Sequence, residues 1–158
     1  MPEKPIEQVL KEKKISEIVN PKLVQASPDL PISAAVEKMR ENKSGYIVIA
    51  RDQKVVGLFT EADLVQKILD RDVKWKLPVK DFMAEDPPVL TMNDSVWTAI
   101  NLMSKLYVYY IPLVDEKKEL VNVISVRTLI RFLAEFYPKE VYNLPPRIDQ
   151  IMEHPEGG

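Results

Sequence analysis

Apolar residues recur along this chain with two different periods, and the same order of periods comes twice. Ile32, Ala35, Val36 and Met39 fall at i, i+3, i+4 and i+7, the stripe of a helix with one buried face. Val96, Ala99, Ile100 and Met103 repeat that spacing. Each helix is followed by a continuous apolar run, at residues 46–50 and 109–114, which predicts a strand covered on both faces. Charged turns at 51–54 and 115–119 are short enough for hairpins and lead into second strands at 55–59 and 120–124. A closing helix carries Leu64, Val65, Ile68 and Leu69 in one copy, and Leu129, Ile130, Leu133 and Phe136 in the other. Short extended pieces at 24–26 and 89–91 precede the first helices, whose starts are marked by polar caps and a proline at 27–31 and by polar caps at 92–95. The predicted order is β-α-β-β-α, twice, an α/β (α+β) chain.

Laying the second half over the first makes the repetition explicit. At an offset of 64 residues Met39 falls on Met103, Ile15 on Val79, Glu17 on Asp81 and Ile18 on Phe82. One extra residue near Glu119 raises the offset to 65, which places Val56 on Val121, Leu58 on Val123, Thr60 on Ser125 and Leu64 on Leu129. This is a tandem duplication, and such repeats bury their faces against each other. It divides the chain into an N-terminal helical segment at 1–13, repeat one at 14–76, repeat two at 77–137 and a proline-rich tail at 138–158. Ile6, Val9, Leu10, Ile15 and Ile18 have helical spacing with a break expected near Lys13 and Lys14, and Leu144, Ile148, Ile151 and Met152 are the apolar anchors of the tail.

Composition removes several function classes. With 158 residues, 46% hydrophobic and 29% charged, the chain can bury a sizeable core. It has no cysteine, so disulfides and thiolate chemistry are excluded, and its only histidine, His154, lies in the tail, where no histidine-based acid–base or metal site can be built. A net charge of −2 argues against broad electrostatic binding of nucleic acid. Tyr107, Tyr109 and Tyr110 beside Lys105 read better as core strand residues than as base-stacking platforms. No apolar run approaches the roughly 18 residues of a membrane helix, and no secretion signal is read at the start, so a cytoplasmic protein is expected. Neither a glycine-rich phosphate loop nor a nucleophile elbow is present; no enzyme is expected.

The informative stretch is the second strand running into the closing helix. Thr60 with Asp63 three residues on has the form of a capping box, and Ser125 caps the second copy with Thr128 where the acid would stand. Ser44-Gly45-Tyr46-Ile47-Val48-Ile49 with Gly57-Leu58-Phe59-Thr60-Glu61-Ala62-Asp63, and Tyr110-Ile111-Pro112-Leu113-Val114-Asp115 with Asn122-Val123-Ile124-Ser125-Val126-Arg127-Thr128, together resemble a tandem pair of CBS domains over residues 14–136. The resemblance implies two repeats packed sheet-to-sheet about a pseudo-twofold axis (a Bateman module), often paired again into a homodimer. It also implies a regulatory role, an unknown protein partner, and clefts between the repeats that in many relatives bind AMP, ADP, ATP or S-adenosylmethionine.

By that resemblance the first cleft would use Thr60 for phosphate or ribose and Asp63 for the ribose diol, with Met83, Pro87, Pro88, Tyr109 and Tyr110 opposite. The two tyrosines either stack on adenine or fill the space. The second cleft would place Lys22, Leu23, Val24, Gly45 and Tyr46 on the base side, with room in front of Gly45, and Ser125 and Thr128 on the ribose side. Arg127 would meet phosphate, with Lys22 and Arg131 as alternatives. Thus one copy keeps the acid in a crowded pocket, and the other keeps the room without the acid. Asn122 also departs from the family, which mostly has glycine there. The plainer alternatives are caps for Thr60, Asp63 and Ser125, a solvated helix position for Arg127, and a ligand-free interaction module with filled clefts.

Overall fold

The structure, a computed structural model, describes residues 4–69 and 75–136. The tail with Leu144, Ile148, Ile151, Met152 and His154, and the side chain of Phe136, lie outside the described residues. The chain begins with α1 (Ile6–Glu12) and a 3₁₀ turn, Ile15–Glu17. The first copy continues as β1 (Gln25–Ala26), α2 (Ile32–Glu41), β2 (Tyr46–Arg51), β3 (Lys54–Thr60) and α3 (Glu61–Asp63), which runs into a π-helical turn, Leu64–Leu69. A second 3₁₀ turn, Val79–Asp81, opens the second copy, followed by β4 (Ala84–Glu85), β5 (Leu90–Thr91), α4 (Val96–Leu106), β6 (Tyr110–Val114), β7 (Leu120–Ser125) and α5 (Val126–Phe136). The stripes predicted for α2 and α4 are the ones buried: Ile32, Ala35, Met39 and Val96, Ala99, Met103 all face the interior. In the π-helical turn the ladder is i→i+5. Ile68 is buried there while Val65 and Leu69 are more than half exposed, so the expected apolar face is only partly used.

The two copies exchange their lead-in segments. Ile15 belongs to the core of the second copy, with Val96, Ile111 and Ile124, and Val79 belongs to the core of the first, with Ile32, Ile47 and Phe59. The hydrogen bonds are reciprocal at the duplication offset. Ile15 N donates to Asp94 O at 2.9 Å and Val79 N to Leu30 O at 2.8 Å; Ser16 N donates to Met92 O at 2.9 Å and Lys80 N to Pro28 O at 3.1 Å. The exchange also completes the helix starts, whose first N–H groups have no partner within the helix. Pro31 caps α2 with no side-chain hydrogen bond, contrary to the polar cap expected at 27–31, and Ile32 N and Ser33 N donate instead to Leu77 O and Trp75 O at 2.9 and 3.0 Å. Ser95 does cap α4, accepting from Thr98 N at 3.1 Å, and Val96 N donates to Lys13 O at 2.8 Å. Sequence repeat and packing unit therefore do not coincide.

Two sheets result, ordered β1-β2-β3-β4 and β5-β6-β7. They meet across the pseudo-twofold, where Val123 and Tyr110 of the second sheet pack into the first core. Leu120 N donates to Gln53 O at 2.8 Å, which ties the two hairpins together beside the inserted Glu119. Among the described residues the second sheet has no fourth strand, and the cause is chemical. β4 pairs with β3 through Gly57 and Glu85, but the position matching Glu85 is Pro21, which has no N–H to give a ladder. Asn122, matching Gly57, compensates with its side chain: its Nδ2 donates to Asn20 O at 2.7 Å, and its Oδ1 accepts from Val123 N at 2.8 Å. At Gly57 itself the space is taken by Met83, which a Cβ would strike. Among the described residues no helix is long and apolar enough to cross a membrane.

Candidate functional site

At the end of β3 the capping box closes as the spacing predicts. Thr60 Oγ1 accepts from Asp63 N at 3.4 Å, and Asp63 Oδ2 accepts from Thr60 N at 2.9 Å and from the Thr60 hydroxyl at 3.2 Å. The other carboxylate oxygen pairs with Lys67 Nζ at 3.0 Å, one helical turn on, leaving the Asp63 side chain 14% exposed. Lys67 also donates to Phe82 O at 2.9 Å. Both oxygens of the acid are thus engaged inside the protein. Ser125 forms the hydroxyl version of the same cap, accepting from Thr128 N at 3.2 Å with Thr128 Oγ1 also at 3.2 Å.

A cleft of about 720 Å³ opens between the copies in front of α5. Of the residues expected in the second cleft, Lys22, Gly45, Tyr46, Ser125, Arg127 and Thr128 line it. Val24 is buried in the first core and Leu23 packs against the same core. Of those expected in the first cleft, Tyr110 lines this one instead. Thr60, Asp63, Met83, Pro87, Pro88 and Tyr109 are not among its lining residues. Tyr109 is 62% exposed and precedes β6, and Tyr107 is 86% exposed, so neither is the core strand residue expected and Tyr109 fills no pocket.

Tyr110 and Tyr46, equivalent positions of the two copies, meet at the axis with ring centroids 5.2 Å apart and tilted by 41°. The Tyr110 hydroxyl donates to Glu61 Oε1 at 3.2 Å. Burial, and then the Glu61 charge, push that hydroxyl up to about 12, and burial alone raises Tyr46. Both phenols are protonated at neutral pH. The room expected in front of Gly45 is occupied, because a Cβ there would run into the Tyr110 hydroxyl and the Glu61 carboxylate.

Charge sets this cleft apart. Among the described residues Lys22, Arg40, Lys43, Arg127 and Arg131 line it, against the one carboxylate of Glu61. At the matching positions of the other copy stand Asp86, Ser104, Tyr107, Ala62 and Gln66. Arg40 pairs with Glu37, and the Lys22 ammonium bonds Asn42 O. Among the described residues Lys43, Arg127 and Arg131 have no carboxylate partner. Sequence reasoning had Arg127, Lys22 and Arg131 but missed Arg40, Lys43 and Glu61. The signal was available as a position-by-position charge difference between the copies.

Several solved structures share this fold. A CBS domain protein of Pyrobaculum aerophilum complexed with AMP superposes with a TM-score of 0.69 at 21% identity, covering 73% of this chain and 89% of that one. A CBS domain pair solved with 5′-methylthioadenosine and S-adenosyl-L-methionine gives 0.72 at 18% identity, covering 78% and 97%. Among curated relatives, an uncharacterised 17.7 kDa protein of Acidianus ambivalens is 29% identical over 78% of this chain and 75% of its own length. The inosine-5′-monophosphate dehydrogenase of Methanocaldococcus jannaschii is 30% identical over 82% of this chain, which spans only 25% of that enzyme. The CBS domain model matches residues 15–70 and again 79–135. Those two matches fall one on each copy of the duplication, and the chain belongs to the CBS domain family as a tandem pair.

Proposed function

We propose that the basic cleft in front of α5 binds an adenine nucleotide and that the chain is a regulatory sensor without catalytic activity of its own. The observation that carries this is the placement of Lys43, Arg127 and Arg131 without carboxylate partners, among the described residues, around a cavity of about 720 Å³. Guanidinium groups suit phosphate oxygens, which they meet with two parallel N–H bonds. Ser125 adds a hydroxyl at the start of the 11-residue helix α5, where the N–H groups of Val126 and Thr128 are already bonded to Tyr109 O and to the Ser125 hydroxyl. The AMP complex of the Pyrobaculum relative supports the adenine part. S-adenosylmethionine, with its sulfonium, fits five cations less well than AMP, ADP or ATP. Sensing would work by differential affinity for two packings of the copies, or of a homodimer of them, since a ligand shifts only an equilibrium it discriminates.

The other cleft fits the ligand-free alternative. Asp63, the residue expected to hold the ribose, is already engaged by Thr60 and Lys67. The test is titration calorimetry of AMP, ADP, ATP and S-adenosylmethionine on wild type and Arg127→Ala. We expect one nucleotide per chain and a loss of about tenfold or more on removing a charge-assisted phosphate contact. No nucleotide binding at millimolar concentration would end the proposal.

A further inference from the structure

Among the described residues the basic cleft has one carboxylate, and it comes from the helix start that caps the other copy. Glu61 follows the cap Thr60 of the first copy, yet it lines the cleft formed by α5 of the second. Its place is fixed at both ends. Its backbone N donates to Gly45 O at 3.0 Å, and its Oε1 accepts from Tyr110 at 3.2 Å. The duplication does not require an acid there, since the matching residue is Val126. Glu61 and Arg127 both act electrostatically on the Tyr110 hydroxyl, in opposite directions, so the acid and the arginine share one neighbourhood. None of the ion pairs among the described residues includes Glu61.

We infer that Glu61 is a resident counter-anion of the phosphate site, a specificity-determining residue that limits how much negative charge on a ligand the site rewards. Held beside the cations, its carboxylate lowers the potential that an entering phosphate meets. Its repulsion grows with the charge of the ligand, so it costs a di- or triphosphate more than a monophosphate and an uncharged nucleoside nothing. Glu61 thus narrows the advantage that the surrounding cations alone would give polyphosphate nucleotides over monophosphates. The inference rests on the phosphate-binding reading of the cleft.

The experiment is calorimetry of adenosine, AMP, ATP and inorganic tripolyphosphate on wild type, Glu61→Gln and Glu61→Asp, with thermal melts to confirm folding. Glu61→Gln keeps an acceptor for Tyr110 but removes the charge. ATP and tripolyphosphate are expected to tighten by roughly three- to tenfold, AMP by less and adenosine not at all, and the gain shrinks as salt rises. Glu61→Asp, which keeps the charge, keeps the wild-type ranking. An equal change for adenosine and ATP, or weaker ATP binding by Glu61→Gln, overturns the inference and leaves the nucleotide proposal standing. Tripolyphosphate binding that tightens in Glu61→Gln while no nucleotide binds would do the reverse. If neither tripolyphosphate nor nucleotide binds wild type or Glu61→Gln, both fall.

Discussion

Replacing Ile15 by alanine should damage the half of the molecule to which Ile15 does not belong in sequence. Its side chain is fully buried in the core of the second copy. The substitution removes three carbons, worth roughly 2.4 kcal/mol at about 0.8 kcal/mol each. The cavity that remains raises the total to about 3 kcal/mol, within the usual span for buried isoleucine. Val79→Ala, equally buried in the first core, removes two carbons and should cost about 2 kcal/mol. Urea unfolding followed by far-ultraviolet circular dichroism and by tryptophan fluorescence reads both. Trp97 packs against the second core and Trp75 lies exposed on the lead-in between the copies. Because each lead-in ties its own copy to the other's core, both probes should report one transition, shifted down by roughly 1–2 M urea in Ile15→Ala for a chain of this size. Two separated transitions, or a loss below about 1 kcal/mol for Ile15→Ala, would refute the reciprocal exchange.

Asp63→Asn should cost about 1 kcal/mol through the capping box and the Lys67 pair, read from melting, while leaving nucleotide affinity within about twofold by calorimetry, since the acid is engaged inside the protein. Asn122→Ala should lower stability by about 1–3 kcal/mol in urea titrations, because Asn20 O and Val123 N lose the side-chain partner that replaces a strand.

The parts of this fold that depend on local period were legible in the sequence. The stripes of α2 and α4, the four long strands and the break after α1 all follow from spacing, and the reciprocal hydrogen bonds of the lead-ins keep the offset of 64. What escaped depends on which copy a side chain turns toward. The family resemblance puts Tyr110 on the first cleft, but it leans onto Tyr46 and lines the second. Gly45 offered room that a neighbour from the other copy had taken. The i, i+4 spacing of Asp63 and Lys67 was visible, and so the engagement of that acid could have been read. Glu61 could not, because nothing local aims it across the axis.

The exchanged lead-ins carry a consequence for how such a molecule can arise. A single copy on its own would leave Ile15 or its equivalent without a core to enter, so it closes only against a twin. Two separate copies would associate in proportion to their concentration and, being identical, would have identical clefts. Joining them in one chain makes the encounter intramolecular, so folding no longer depends on dilution. It also releases each cleft from being a replica of the other. The arginines and lysines could then gather on one side of the axis while Asp63 on the other was turned to holding the protein together.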